Sequence, residues 1–325
     1  MRLYLAVDGG GSKTDVVIGD ETGGVLAVAK GPPTCHQMIG LPEAMRRLRE
    51  LVRSTLTRAG LPDSTAFDRV ECYLSGADLP AEVEMLTSAV AGFGWGHSIH
   101  VGNDTYAVLR AGTAAPNAIG IVCGTGINCV ARAADGRTTG FWSIGEVSGD
   151  WGSGWSLGSL ALWHATRDHD GRGPSTTLGG AVAAHFDLPD MDAVIAAFHY
   201  GHIAPERRQE LTPLIFMHAA EGDRVSASLV SRLAREIVML ATVAGRRLGI
   251  LDSSHDVALG GGVIRPRHPM LLRAVQRRLP ASATLVIVDA RPVLGAARYA
   301  LDWFDAPPAA HERLHATLAD STPDG

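Results

Sequence analysis

Cysteine is scarce in this sequence: Cys35, Cys72, Cys123 and Cys129 are the only four in a chain of 325 residues. No two of them form a C-x-x-C pair, so a structural zinc or an iron–sulfur site has little support. So few thiols in so long a chain do not make a disulfide framework. With no export signal visible, reduced thiols and a cytoplasmic location are expected. Long hydrophobic runs are missing as well. The first apolar run, Leu3 to Val7, is strand-length and stops at Asp8, which excludes a signal-peptide core or a membrane span there. Nor is there an excess of charge. A formal net charge of -5 gives no electrostatic footprint for nucleic acid or an anionic membrane. Arg46, Arg47 and Arg49 do cluster, but beside Leu48, Leu51 and Val52 they read as the solvated face of a helix.

The composition that remains is globular and long enough for two domains, each with its own core. Glycine is the outlier, with 38 residues, roughly 12% against a usual value near 7%. The glycines are not spread like a linker. They gather at Gly9 to Gly11, Gly124 to Gly126, Gly145 to Gly158 and Gly260 to Gly262, each beside a strand-like run. Glycine in such places permits positive φ and close approach of another group to the backbone. A ligand with phosphates is the expectation.

Along the chain, Leu3 to Val7 and Thr14 to Asp20 flank a glycine turn and read as a hairpin. A further strand follows at Val25 to Ala29. Apolar residues at helical spacing run from Pro42 to Ala59 and stop at Gly60, a good residue just past a helix end. Val70 to Leu74 reads as a strand, Ala81 to Ala91 as a helix, and Ser98 to Val101 as a strand running into Asn103-Asp104 and a helix. The opening pattern then returns. Ile119 to Cys123, Gly124-Thr125-Gly126 and Ile127 to Ala131 again read strand, glycine turn, strand, as a duplicated sheet motif with one copy opening each domain. The second half is helix-rich up to Ser226–Leu248, then strands at Val257 to Leu259 and Leu285 to Val288 precede a closing helix from Val293 to Phe304. An α/β chain is expected, with domains at 1–115 plus about 293–306 and at 116–292. Residues 307–325 are expected to form a loosely attached tail.

Asp8-Gly9-Gly10-Gly11-Ser12-Lys13-Thr14 is the most informative stretch. It is not a P-loop or a dinucleotide fingerprint, because a strand rather than a helix follows it. Its backbone N–H groups, at Gly10 to Thr14, still form a candidate anion nest. Asp8, at the end of a buried strand, is placed to hold Mg²⁺, directly or through water. A plain tight turn with a capping Asp competes with this reading. A second turn, Gly124-Thr125-Gly126, allows two glycine hairpins, one per domain, to clamp a triphosphate. Gly261 and Gly262, after a late strand, suit close approach of backbone to adenine or ribose. Asp104 is a candidate general base for a hydroxyl attacking a γ-phosphorus. From local sequence alone, a helix N-cap is the better reading of Asp104.

These pieces in this order resemble the actin/hexokinase/Hsp70-like phosphotransferases, and within them the BadF/BadG/BcrA/BcrD-type ATPases and N-acetylglucosamine kinases, over roughly residues 3 to 304. Asp8 to Asp15 is similar to the first phosphate loop, Asn103-Asp104 to the catalytic aspartate segment, Gly124 to Gly126 to the second phosphate loop and Gly260 to Val263 to the adenosine loop. Gly145 to Gly158 is similar to the sugar-binding turn, and Pro292 to Ala296 to the final helix. The resemblance implies two ribonuclease H-like (actin/hexokinase-type) domains with a cleft between them, and ATP with Mg²⁺ as cofactors. It implies Asp104 as the base acting on a small-molecule sugar, and a homodimer. It also places Cys35, His36, Gln37, Asn103, Thr125, Gly145, Asp150 and Trp151 around that sugar. Two departures, Cys35 where the family often has Asn and Trp151 where it often has Glu, leave N-acetylglucosamine, glucosamine or another hexose as acceptor.

Two other functions stay open at this stage. One is an ATPase that drives a partner enzyme of the 2-hydroxyacyl-CoA dehydratase type through a cysteine-held cluster; the other is a non-catalytic sugar sensor. His199-x-x-His202 and Asp168-His169-Asp170 read as surface groups rather than metal ligands. Trp163 is expected in the core, and Trp151 and Trp155 in packing or ligand contact.

Overall fold

The computed structural model describes residues 1–320. It contains two compact units: Ile121–Ile287, and Met1–Gly120 together with the segment from Val288 onward. The boundaries therefore fall near 120 and 287, against the expected 115 and 292.

The first unit opens with β1 (Leu3–Gly9), β2 (Thr14–Asp20) and β3 (Val25–Gly31), then α1 (His36–Ile39) and α2 (Leu41–Arg58). β4 (Arg69–Leu74), α3 (Pro80–Ala91), β5 (Ile99–Asn103) and α4 (Asp104–Gly112) follow. Its sheet has the order β3-β2-β1-β4-β5. β1 pairs antiparallel with β2 and parallel with β4, and β5 adds parallel to β4. Both faces of this sheet are covered, which is why β1 reads as a continuous apolar run rather than an alternating one. Leu5 and Val7 point into one core with Val16, Ile18, Leu48, Val52 and Leu74; Tyr4 and Ala6 point into the other with Val17, Tyr73 and Leu301.

α2 buries Ala44, Met45, Leu48, Leu51, Val52, Thr55 and Leu56, one stripe at helical spacing. It ends where Gly60 takes a left-handed φ of 67°, a conformation that glycine enters without strain. The arginine cluster is solvated as expected: Arg46 pairs with Glu43 and Glu50, and Arg47 with Glu43.

The second unit contains β6 (Ala118–Cys123), in which the boundary falls, β7 (Ile127–Arg132) and β8 (Thr138–Gly140). Next come α5 (Gly154–His169), α6 (Leu178–His185), α7 (Met191–His199), α8 (Thr212–Ala220) and α9 (Arg224–Leu248). β9 (His255–Gly260), α10 (Pro269–Gln276) and β10 (Ala283–Ile287) complete it. The sheet order, β10-β9-β6-β7-β8, repeats that of the first unit element for element when read from its other edge. The duplication seen in the glycine turns thus extends to whole sheets. α9 starts where the Asp223 side chain accepts from the Ser226 N–H at 2.7 Å, and stops at Gly249 in the left-handed region.

The chain then returns to the first unit through α11 (Pro292–Trp303) and α12 (Pro308–Asp320). α11 lies so close to α4 that a Cβ on Gly295 would sit 1.8 Å from the Ala107 carbonyl oxygen. Arg110 of α4 and Asp302 of α11 lock the pair with two hydrogen bonds of 2.7 and 2.8 Å. α12 corrects the expectation of a loose tail: Ala310, Leu314 and Leu318 are buried in the same core as Tyr4 and Leu301. Residues 321–325 of that expected tail lie outside the described residues. Trp163 is also corrected. It is half exposed, about two positions off the buried stripe of Leu157, Ala161 and Ala165, with the Arg167 guanidinium 4.7 Å from its ring centroid.

Candidate active site

In the first unit, β1 and β2 set Asp8 directly opposite Asp15 and Gly9 opposite Thr14. The turn between them closes with the Gly10 N–H donating to the Lys13 carbonyl at 2.9 Å. It is braced from behind, because the Thr34 N–H donates to the Gly10 carbonyl at 3.3 Å and the Thr14 and Thr34 hydroxyls meet at 2.9 Å. Gly9 has no room for a side chain: a Cβ would lie 2.6 Å from Leu74 Cδ2 and 2.7 Å from Thr34 Oγ1. Gly10, Gly11, Ser12 and Lys13 are at least partly exposed, while Thr14 is buried. Lys13 is tethered, its Nζ 2.6 Å from Asp15 Oδ2, and Arg291 approaches the other oxygen at 2.7 Å. Asp15 is thus a fully buried carboxylate held between two cations.

Asp104 is the first residue of α4, at the end of β5. The local reading of it as a helix cap is overturned. Asn103 is the cap, its Oδ1 accepting from the Thr105 N–H at 2.9 Å. Asp104 is partly exposed beside it.

The loop expected to face an acceptor begins at Thr34 and Cys35, both buried, and runs into α1. His36 and Gln37 pack against the turn after β4, where Gly76 has φ 87° and a Cβ would lie 2.9 Å from His36 Cε1 and 3.1 Å from Gln37 Cδ. Gln37 Nε2 donates to Glu82 Oε1 at 2.8 Å and to Asp78 Oδ2 at 3.3 Å. Asn103 Nδ2 donates to Asp78 Oδ1 at 2.8 Å. The first unit therefore brings together Gln37 and Asn103, which the sequence singled out, with Asp78 and Glu82, which it did not.

In the second unit three segments converge. The Gly124 N–H donates to the Gly126 carbonyl at 2.8 Å, and the Gly124 carbonyl accepts from the Gly154 N–H at 2.7 Å at the start of α5. The Cys123 carbonyl accepts from Val263 at 3.0 Å. Gly261 has φ 99°, and a Cβ there would fall 2.2 Å from that same carbonyl oxygen. Only glycine fits where the turn after β9 crosses the end of β6. Around Gly126 and Gly262, by contrast, the space where a side chain would stand is open. The expected phosphate and adenosine turns, 124–126 and 260–262, are therefore neighbours.

The expected sugar turn is a 3₁₀ turn at Gly145–Ser148. It is held by Asp150, whose Oδ2 accepts from the Gly145 N–H at 2.9 Å and the Ser148 hydroxyl at 2.6 Å. Trp151 lies under the Arg232 guanidinium, 3.9 Å from its ring centroid, and Trp155 under that of Arg208 at 4.4 Å. These are cation–π contacts of exposed or half-buried rings. His199 and His202 are exposed, and among the described residues no group of three or more His, Cys, Asp or Glu could hold a metal ion.

The electrostatics of the first unit are unusual. Burial pushes Asp8 up to about 8, Asp104 and Asp15 push the same way, and Lys13 and Arg291 only partly oppose them. Burial pushes Asp104 up to about 6 against hydrogen bonds with Thr105. Asp78 rises to about 7 through burial and then the nearby charges of Asp104 and Glu82. Glu71 also rises to about 7, through burial opposed by Arg69. A carboxyl whose folded pKa is raised binds protons that the unfolded chain has released, so stability falls as pH rises between the two values. Above pH 7 the lowered histidines (His100, His164, His268 and His311) are largely neutral in both states and do not offset this. Calorimetry of the ligand-free protein should show Tm falling by at least about 3 °C between pH 7 and pH 8.5, since one proton is worth about 1.4 kcal/mol per pH unit. A flat or rising Tm would remove the case for these raised carboxyls. A hard divalent cation suits Asp8: its charge lacks full compensation, and Mg²⁺ takes few carboxylates and keeps several waters.

The two sheets of identical strand order, each with glycine turns at its strand ends, define a protein of the two-domain ribonuclease H-like, actin-type fold. The chain belongs to the BadF/BadG/BcrA/BcrD ATPase family, which it matches over residues 5–300. It is similar to an N-acetylmuramic acid/N-acetylglucosamine kinase of Clostridium acetobutylicum, 27% identical over 268 residues that cover 81% of this chain and 86% of the relative. It is likewise similar to an N-acetyl-D-glucosamine kinase of Dictyostelium discoideum, 26% identical over 323 residues, 93% of this chain and 98% of the relative. A solved structure from Chromobacterium violaceum shares the fold with a TM-score of 0.69 at 24% identity, covering 91% of this chain and 98% of that one. No helix among the described residues is long and apolar enough to cross a membrane.

Proposed function

We propose that this protein is an ATP-dependent sugar kinase that transfers the γ-phosphate to the 6-hydroxyl of N-acetylglucosamine, glucosamine or a related hexose. The observation that carries the reading is Asp104: Asn103 takes over the helix cap, so a carboxylate with its pKa lifted to about 6 stands without a capping task, close enough to raise the pKa of Asp78, which accepts from Gln37 of the acceptor loop. A general base works best when its pKa lies near the working pH. In this reading Asp104 accepts the acceptor hydroxyl's proton, and Cys35, His36, Gln37, Asn103, Gly145, Asp150 and Trp151 bind and orient the sugar. The backbone of Gly10 to Thr14 and of Gly124 to Gly126 receives the phosphates, with Thr125 also near the acceptor. Gly261 and Gly262 let the nucleoside approach. Asp8 would hold Mg²⁺, which when bound neutralises phosphate charge during transfer.

The names of the two kinase relatives support this reading, and so does the family's use of ATP. A homodimer and a cytoplasmic location belong to the same proposal, the first resting on the resemblance alone and the second on the reduced thiols expected from the sequence. The alternative of a cysteine-held cluster has nothing to favour it, since Cys35, Cys72, Cys123 and Cys129 are all buried.

A coupled ADP-release screen across hexoses and amino sugars, with the phosphorylated carbon located by NMR, tests the function. No sugar raising ADP release would end it. For the productive sugar, log kcat/KM should fall with a slope near one below about pH 6, because protonated Asp104 cannot take the hydroxyl proton. A rate unchanged down to pH 4.5 would exclude Asp104 as base.

A further inference from the structure

The reaction proposed above gives Asp78 no task, yet Asp78 is the hub of the hydrogen bonding on the acceptor side of the first unit. Its Oδ1 accepts from Asn103 and its Oδ2 from Gln37. The turn on which it stands is fixed by Glu82, whose Oε2 accepts from the backbone N–H of Leu79 at 2.9 Å and of Asp78 at 3.2 Å. Glu82 Oε1 also receives Gln37, so the Gln37 amide is shared between two carboxylates. His36 flanks the same turn, its Nε2 3.7 Å from Glu82 Oε1. Asn103, the far end of the network, caps α4 immediately before Asp104.

We propose that Asp78 is a positioning residue: one carboxylate whose two oxygens hold the Gln37 amide of the acceptor loop and the Asn103 amide at the start of α4 in a fixed relation, and so register the bound acceptor against Asp104. This rests on the kinase reading. The chemistry requires a group with two acceptor oxygens at position 78, because both neighbours present N–H donors to it. A neutral amide offers one oxygen and would satisfy one neighbour. A methyl offers none, leaving Gln37 held by Glu82 alone and the Asn103 amide without this anchor. A carboxylate placed so near Asp104 and Glu82 carries a repulsive cost, which a purely structural turn would not need. The amides it holds are 41 and 25 positions away in the chain, so the registration is tertiary and no local motif announces it.

The test is a mutant cycle in the full-length enzyme with its productive sugar: Asp78→Ala, Asp78→Asn, Gln37→Ala, and the double variant Gln37→Ala/Asp78→Ala, each read for kcat, the KM of sugar and of ATP, and Tm. Asp78→Ala should lower kcat/KM for the sugar by about 10- to 100-fold, the size expected for misplacing a reacting group by a fraction of an ångström to an ångström. The KM for ATP should stay within about twofold. Asp78→Asn should recover part of the loss, and the double variant should fall no more than about threefold below Asp78→Ala, because both changes break one relay. Losses that multiply in the double variant, or equal losses for sugar and ATP that follow Tm, would overturn the assignment. If Asp78→Ala does not fold, the cycle of Asp78→Asn with Gln37→Ala gives the same decision. A wild-type enzyme inactive on every sugar would instead sink the kinase reading, and the role of Asp78 with it.

Discussion

Asp104→Asn should lower kcat for sugar-dependent ADP release by about 10² to 10⁴, the usual worth of a positioned general base, while leaving the fold and nucleotide binding in place. The substitution removes charge and basicity without removing shape. The helix cap stays, because it belongs to Asn103 and not to the substituted residue. Stability should not suffer either: a carboxylate pushed up to about 6 by burial costs free energy when ionised at pH 7.5, and a neutral amide does not. Asp104 also raises the pKa of Asp8, so its neutralisation should make Asp8 easier to ionise and leave the KM for MgATP unchanged or lower. The expected signature is therefore a large loss in kcat with unaltered or higher Tm and no loss in nucleotide affinity. Turnover within about threefold of wild type would refute the assignment of the base, and a parallel collapse of Tm would show Asp104 to be structural.

The elements that sequence patterning revealed are those whose burial is simple. β1 is apolar from Leu3 to Val7 because both faces of its sheet are covered, and α2 shows a clean stripe because only one of its faces is. The glycine turns were legible because positions such as Gly9 and Gly261 tolerate no Cβ, a constraint written directly into residue type. What local sequence obscured was the division of labour within Asn103-Asp104. Both residues are strong caps, and only the backbone shows that the first one caps. Asp78 and Glu82 were invisible for a different reason: apart from the local bonds of Glu82 to Leu79 and Asp78, their partners come from α1 and β5, and no local periodicity encodes such contacts. α12 was missed although its signal was present. Ala310, Leu314 and Leu318 repeat every fourth residue, and Pro308 stands at the first position of the helix, where proline is well tolerated. The fold repeat was only half seen, because identical strand orders in two sheets are a property of pairing and not of composition.

Gly295→Ala should be among the most damaging single methyls in the first unit. A Cβ at this position would lie 1.8 Å from the Ala107 carbonyl oxygen and 2.7 Å from the Ala111 backbone nitrogen. Both are backbone atoms of α4, so no side-chain rotation relieves the clash and the two helices must move apart. The Arg110–Asp302 hydrogen bonds and the contact of Arg298 with the Ala111 carbonyl at 3.0 Å resist that movement. Overpacking of this kind costs about 3 kcal/mol or more, and the better helix propensity of alanine returns about 1. A net loss of about 2 kcal/mol corresponds to a fall in Tm of roughly 4–8 °C for a unit of this size. Gly180 of α6 supplies the control: nothing lies within 4 Å of a Cβ there, so Gly180→Ala should be neutral or slightly stabilising. The effect of Gly295→Ala should also reach the chemistry, because Ala107 lies one turn beyond Asp104 on the same helix. A shift of α4 by about 1 Å misplaces the base and should lower kcat by up to about 10² even well below Tm. Calorimetry and steady-state rates on the two alanine variants decide the matter. Equal Tm values for Gly295→Ala and Gly180→Ala would mean that the contact between α11 and α4 is not as tight as described, and that α11 does not hold the base in place.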